Sequence, residues 1–153
     1  MTTYVDSSVL VAVYVSERFS KPARRAVRAV PQVPWTQLHE IEIPNAFELL
    51  VGRGIMTRPE CRTIQAQLLD DVESQRLVRT SLDLDRVFAD ARDLSRSYSS
   101  KFLTRSLDLL HVAAALSTSC TTFVSADDRQ LAVAKATGMA VIDIKRRVPR
   151  ITR

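Results

Sequence analysis

The chain has 153 residues, with 22 Lys and Arg against 17 Asp and Glu and a formal charge of +5. That length suits one domain, which can bury roughly 68–70% of its unfolded surface and needs no disulfide or metal for stability alone. At 46% hydrophobic and 25% charged residues the composition excludes disorder and collagen-like repeats, and the three glycines, Gly52, Gly54 and Gly138, lack the spacing of a P-loop or a dinucleotide fingerprint.

Thr2 to Asp6 (TTYVD) reads as a short buried strand ending in an acid. Ser7 and Ser8 then offer a cap to a buried helix in VLVAVYVSE. Ser20 to Val30 forms a second helix, with Ser20 as cap and Pro22 in its first turn. Gln32 to Trp35 follows as a strand. Gln37 to Val51 has Leu38, Ile41, Leu49 and Leu50 at helical spacing; Pro44 is expected to kink or divide that helix, and Gly52 and Gly54 to end it. Thr57 to Gln75 is an amphipathic helix, Leu77 to Ser81 a strand and Asp85 to Tyr98 a helix. Ser106 to Ser119 is an almost wholly apolar helix with Ser106 as its expected cap. Thr121 to Ser125 is a strand, Asp127 to Thr137 a helix closed by Gly138, and Met139 to Ile144 the last strand.

Strands that alternate with helices and read as continuous apolar runs predict an α/β fold, a central mostly parallel sheet flanked by helices. One domain is expected over residues 1–144, followed by a basic C-terminal tail at 145–153 (KRRVPRITR). The N-terminus has neither a basic region nor a long apolar one, and the longest apolar run, Val9 to Val15, is far short of the roughly 20 residues a membrane span needs. A cytoplasmic protein without membrane contact is therefore expected. Cys61 and Cys120 form no C-x-x-C and are read as buried, reduced thiols. The arginine-rich positive balance allows a nucleic-acid partner without requiring one.

Four acids do not fit a solvated surface. Asp6 ends the first strand, at the edge where open parallel sheets place ligands. Glu42 lies beside Leu38 and Ile41, Asp108 opens the apolar helix, and Asp127 follows the strand TTFVS. Each has a plainer use: helix capping for Asp6 and Asp127, a favourable helix-dipole position for Asp108, solvent for Glu42. Together they form a carboxylate cluster that repels itself unless a cation neutralises it, and oxygen-only ligands suit Mg²⁺ or Mn²⁺. The only histidines, His39 and His111, have no partner at zinc-ligand spacing.

Four segments carrying these acids resemble the motifs of PIN-domain ribonucleases, and closely those of VapC-type toxins. They are YVDSSVLVAVY, EIPNAFELL, SLDLLHVAAAL and TTFVSADDRQLAVAKATGMAVI, spanning about Thr3 to Ile144. The resemblance implies metal-dependent hydrolysis of phosphodiester bonds in single-stranded tRNA or rRNA. Asp6, Glu42, Asp108 and Asp127 would serve as catalytic and metal-binding residues, with Mg²⁺ as cofactor and Mn²⁺ able to substitute. Ser7, Asn45 and Asp128 would support them. It also implies a homodimer and neutralisation by a cognate VapB-type antitoxin. The E-x-x-N-A pattern selects Glu42 over Glu40, which points about 200° away on the same helix and goes to the surface. His111 is read as a packed histidine. The alternatives are a housekeeping PIN-domain RNA-processing nuclease and a catalytically silent RNA-binding PIN domain. A haloacid-dehalogenase-type phosphohydrolase would need D-x-D, but Ser8 stands in the second position.

Overall fold

Tyr4 and Val5 are neighbours in the first strand, so their side chains point to opposite faces and enter different cores. In the computed structural model, which describes residues 1–146, the chain begins with β1 (Thr3–Val5), α1 (Ser7–Tyr14), α2 (Ser20–Arg28), β2 (Val33–Trp35), α3 (Gln37–Gly52) and α4 (Arg58–Glu73). It continues with β3 (Leu77–Arg79), α5 (Leu84–Leu94), a π-helical segment (Ser95–Ser99), α6 (Ser100–Phe102), α7 (Ser106–Ser117), β4 (Thr122–Ser125), α8 (Asp128–Ala136) and β5 (Ala140–Asp143). Tyr4 and Phe123 pack with residues of α5, α7 and α8 on one face of the sheet. Val5 and Val124 pack with residues of α1, α2, α3 and α4 on the other. Both faces are thus covered, as apolar parallel strands require.

All strand pairs are parallel, as expected. The ladder, however, is in two pieces, β1-β4-β5 and β2-β3. β2 lies alongside β1 without bonding to it. The reason is local. Val33 N–H and Trp35 C=O bond toward β3, so the intervening Pro34 faces β1, and proline has no N–H to donate. His39 takes over the missing bond: its Nε2 donates to the Val5 carbonyl at 2.8 Å. Its Nδ1 accepts from the Thr36 backbone N–H at 3.1 Å, so the same ring also caps α3.

Several boundaries move. Asp6, not Ser7 or Ser8, is the N-cap of α1, and Arg105, not Ser106, precedes α7. Phe19, not Ser20, precedes α2. Pro44 does not divide α3, which runs unbroken from Gln37 to Gly52. Gly138 closes α8 with φ +93, a conformation only glycine takes without strain. Cys61 and Cys120 are buried and free. Beyond Arg146 the predicted basic tail lies outside the described residues. No described helix is long and apolar enough to cross a membrane.

Burial and the nearby His111 ring lower the pKa of His39 to about 3, against 6.5 unperturbed. Above pH 6.5 its imidazole is neutral whether the chain is folded or not. Below that, the unfolded chain takes up a proton that the folded chain refuses, so acid favours unfolding. This residue alone should cost about 1.4 kcal/mol of stability between pH 7.5 and 5.5. Urea titrations at the two pH values check it. The variant His39→Gln should show a loss smaller by that amount, and equal losses in the two proteins would refute the assignment.

Candidate active site

Strand order reverses between β1 and β4, because the chain extends to β2 and β3 on one side and to β5 on the other. In open α/β sheets a crevice forms at the carboxyl ends of the strands at such a point. Here a cleft of about 640 Å³ opens there, and Asp6, Glu42, Asp108 and Asp127 all line it. Four acids distant in sequence therefore meet in one place.

Each is aimed by its local structure. Asp6 is buried, and its Oδ2 accepts from the backbone N–H and the hydroxyl of Ser8, so capping α1 and facing the cleft are one arrangement. Asp127 does the same for α8: Oδ1 accepts from the N–H groups of Arg129 at 2.8 Å and Gln130 at 3.1 Å. That leaves Oδ2 toward the cleft. Asp108 stands in the first turn of α7. Burial pushes its carboxyl upward, Arg105 pulls it down, and Asp127 and Asp6 push it up again. Glu42 reaches over from α3. Its Oε1 accepts from the Ser7 hydroxyl at 3.0 Å and from His111 Nε2.

Asn45 and Asp128 are not brought in. Asn45 is exposed on α3 and is not among the residues lining the cleft. Asp128 turns outward to Lys145 Nζ at 2.8 Å, which lowers its pKa. Glu40 also faces away, paired with Arg79 at 2.9 Å.

A PIN-domain family model matches residues 3–136 of the chain. The chain belongs to the PIN-domain family. Among solved structures it is similar in fold to FitAcB from Neisseria gonorrhoeae, with a TM-score of 0.67 at 13% identity, covering 94% of this chain and 99% of that one. No curated protein matches it.

Three side chains support this PIN domain's candidate site through bonds that the sequence does not show. Gln130 is fully buried on α8: its Oε1 accepts from Ser125 at 2.8 Å, and its Nε2 donates to Asp6 Oδ1 at 3.4 Å and to the Asp108 carbonyl at 3.3 Å. It ties three of the motif segments together. His111 is packed, as expected, but also bonded: Nε2 meets Glu42, and Nδ1 accepts from the Tyr4 hydroxyl at 2.8 Å. Burial keeps that phenol protonated. Arg105 Nε donates to Asp108 Oδ2 at 3.1 Å, with Nη2 3.8 Å from Asp127 Oδ2. Only the i, i+3 spacing of Arg105 and Asp108 was visible beforehand.

The PIN-domain carboxylates form a hard, oxygen-only donor set of the kind that binds a small divalent cation. Among the described residues, no three carboxylate, imidazole or thiol groups stand close enough together to share one ion. The donors are gathered in one cleft but held by other partners: Ser8 and Gln130 on Asp6, His111 and Ser7 on Glu42, Arg105 on Asp108 and Asp127.

Proposed function

We propose that this PIN domain is a Mg²⁺-dependent endoribonuclease of the VapC toxin type, cutting single-stranded regions of tRNA or rRNA. The observation that carries the reading is the convergence of Asp6, Glu42, Asp108 and Asp127 on one cleft at the reversal point of the sheet. Carboxylates without a cation repel one another and the RNA backbone alike, so this cluster is unfavourable in a protein that only binds RNA. A divalent cation held by the four acids would lower the pKa of water and offset negative charge developing at phosphorus. The chain's own residues then have distinct duties. Gln130 and Ser8 fix the Asp6 carboxylate, His111 and Ser7 fix Glu42, and one of Asp108 and Asp127 orients the attacking water. An unpaired strand is favoured because its phosphate can enter a recessed cleft.

A homodimer, cytoplasmic location and neutralisation by a VapB-type antitoxin belong to the same reading, through the resemblance of the four motif segments. Incubating the purified protein with a mixed pool of single-stranded RNA and tRNA tests the chemistry. Cutting is expected with Mg²⁺ or Mn²⁺, and EDTA should stop it. Cutting that persists in EDTA would defeat the metal-dependent mechanism. Induced expression in a bacterial host tests the toxin reading: growth should stop, and a short antitoxin encoded beside the gene should restore it.

A further inference from the structure

Arg105 is the one cationic side chain among the described residues that line the cleft. Its side chain is 72% exposed, while the Asp108 side chain it meets is only 14% exposed. The guanidinium stands between carboxylates from two different elements, Asp108 of α7 and Asp127 at the start of α8.

It also lies against carboxylate oxygens that no other group among the described residues holds. Asp127 Oδ1 is committed to the amides of α8, and Asp6 Oδ2 to Ser8. Of the remaining oxygens, Oδ2 of Asp108 accepts from Arg105 Nε at 3.1 Å and Oδ2 of Asp127 stands 3.8 Å from its Nη2. A guanidinium in that place does for the free protein what a cation would do: it offsets mutual repulsion among Asp6, Asp108 and Asp127.

The two cannot share the place. A dication brought to the same carboxylate oxygens repels the guanidinium beside it, and an exposed ion pair is weak enough to give way. An arginine released at the rim of an acidic cleft then meets the incoming RNA backbone. A planar guanidinium matches two phosphate oxygens, which a single ammonium cannot do.

We propose that Arg105 is an exchangeable cation: it holds Asp108 and Asp127 in the free protein and moves to the RNA phosphate when a divalent ion takes its place. The proposal rests on the nuclease reading above, and it makes Arg105 act with opposite sign on the two ligands. It competes with the metal and recruits the RNA.

The test measures both in Arg105→Gln and Arg105→Lys, in the full chain. Mn²⁺ binding is followed without RNA, by titration calorimetry or by the spectrum of free Mn²⁺. Cleavage of a single-stranded RNA is then measured at saturating Mn²⁺. Arg105→Gln should bind Mn²⁺ more tightly, by up to about fivefold. Its kcat/KM should fall by roughly tenfold or more. Arg105→Lys, which keeps the charge and loses the fork, should bind Mn²⁺ like the wild type yet cleave less well. Weaker Mn²⁺ binding in Arg105→Gln would overturn the proposal, because it would make Arg105 a mere organiser of the carboxylates. Unchanged Mn²⁺ binding would overturn the exchange. Tighter binding with unchanged cleavage would overturn the phosphate contact. A wild-type chain that binds Mn²⁺ but cuts no RNA would count against the nuclease reading itself, and the phosphate contact would fall with it.

Discussion

Asp6→Asn should abolish RNA cleavage while leaving the fold and the RNA-binding surface in place. The expected loss is roughly a thousandfold, about 4 kcal/mol of barrier. Asn removes the negative charge but keeps one side-chain acceptor, and Asn caps a helix as well as Asp. The bonds from Ser8 can therefore persist, and α1 can still start at Ser7. The cost should fall on Gln130. Its Nε2 donates to Asp6 Oδ1, while its Oε1 is taken by Ser125, so an amide nitrogen at position 6 would face another donor. A stability loss of about 1 kcal/mol is expected from that mismatch. Cleavage assays, gel-shift titrations with single-stranded RNA and thermal melts separate the three quantities. Wild-type cleavage by this variant would remove Asp6 from the site.

The second large effect is expected at His111. Its ring is buried and spans the gap between Tyr4 on β1 and Glu42 on α3. Both bonds to Glu42, from His111 and from Ser7, fall on Oε1, so Oε2 is the oxygen left for a ligand. His111→Ala should let the Glu42 carboxylate swing and should leave the Tyr4 hydroxyl without its best partner. Loss of the ring and of a buried hydrogen bond should destabilise the fold by about 3 kcal/mol. Residues that orient metal ligands typically matter by 10–100-fold, and Mn²⁺ affinity and kcat/KM should both fall within about that range. His111→Gln places an amide donor near the Nε2 position and should recover much of the metal affinity. If it recovers stability but no metal affinity, or if His111→Ala binds Mn²⁺ like the wild type, His111 is only a core residue.

How much of this was legible beforehand differs between the scaffold and the site. The order of strands and helices could be read because each element advertises itself within its own short stretch of sequence, through period, cap and breaker. The parallel sheet followed from the apolar strands, and the convergence of Asp6 and Asp127 from the rule that strand ends meet at one edge. Resemblance to the family's motifs was a weaker guide. It selected Glu42 over Glu40, and the two do face different ways. It also nominated Asn45 and Asp128, which stand outside the cleft. Asp128 is turned away by Lys145, a partner 17 residues on that no local pattern connects to it.

Composition and periodicity thus determined the class of fold, because strands and helices depend on interactions between residues close in sequence. Tertiary structure alone decided which oxygens are free. His111 reaches Glu42 across 69 residues and Gln130 reaches Asp6 across 124. The gap between β1 and β2 depends on a proline and a histidine whose shared role shows only once Val5 lies beside them. Such contacts depend on packing geometry, and a buried polar side chain takes whichever partner the fold leaves within hydrogen-bond reach.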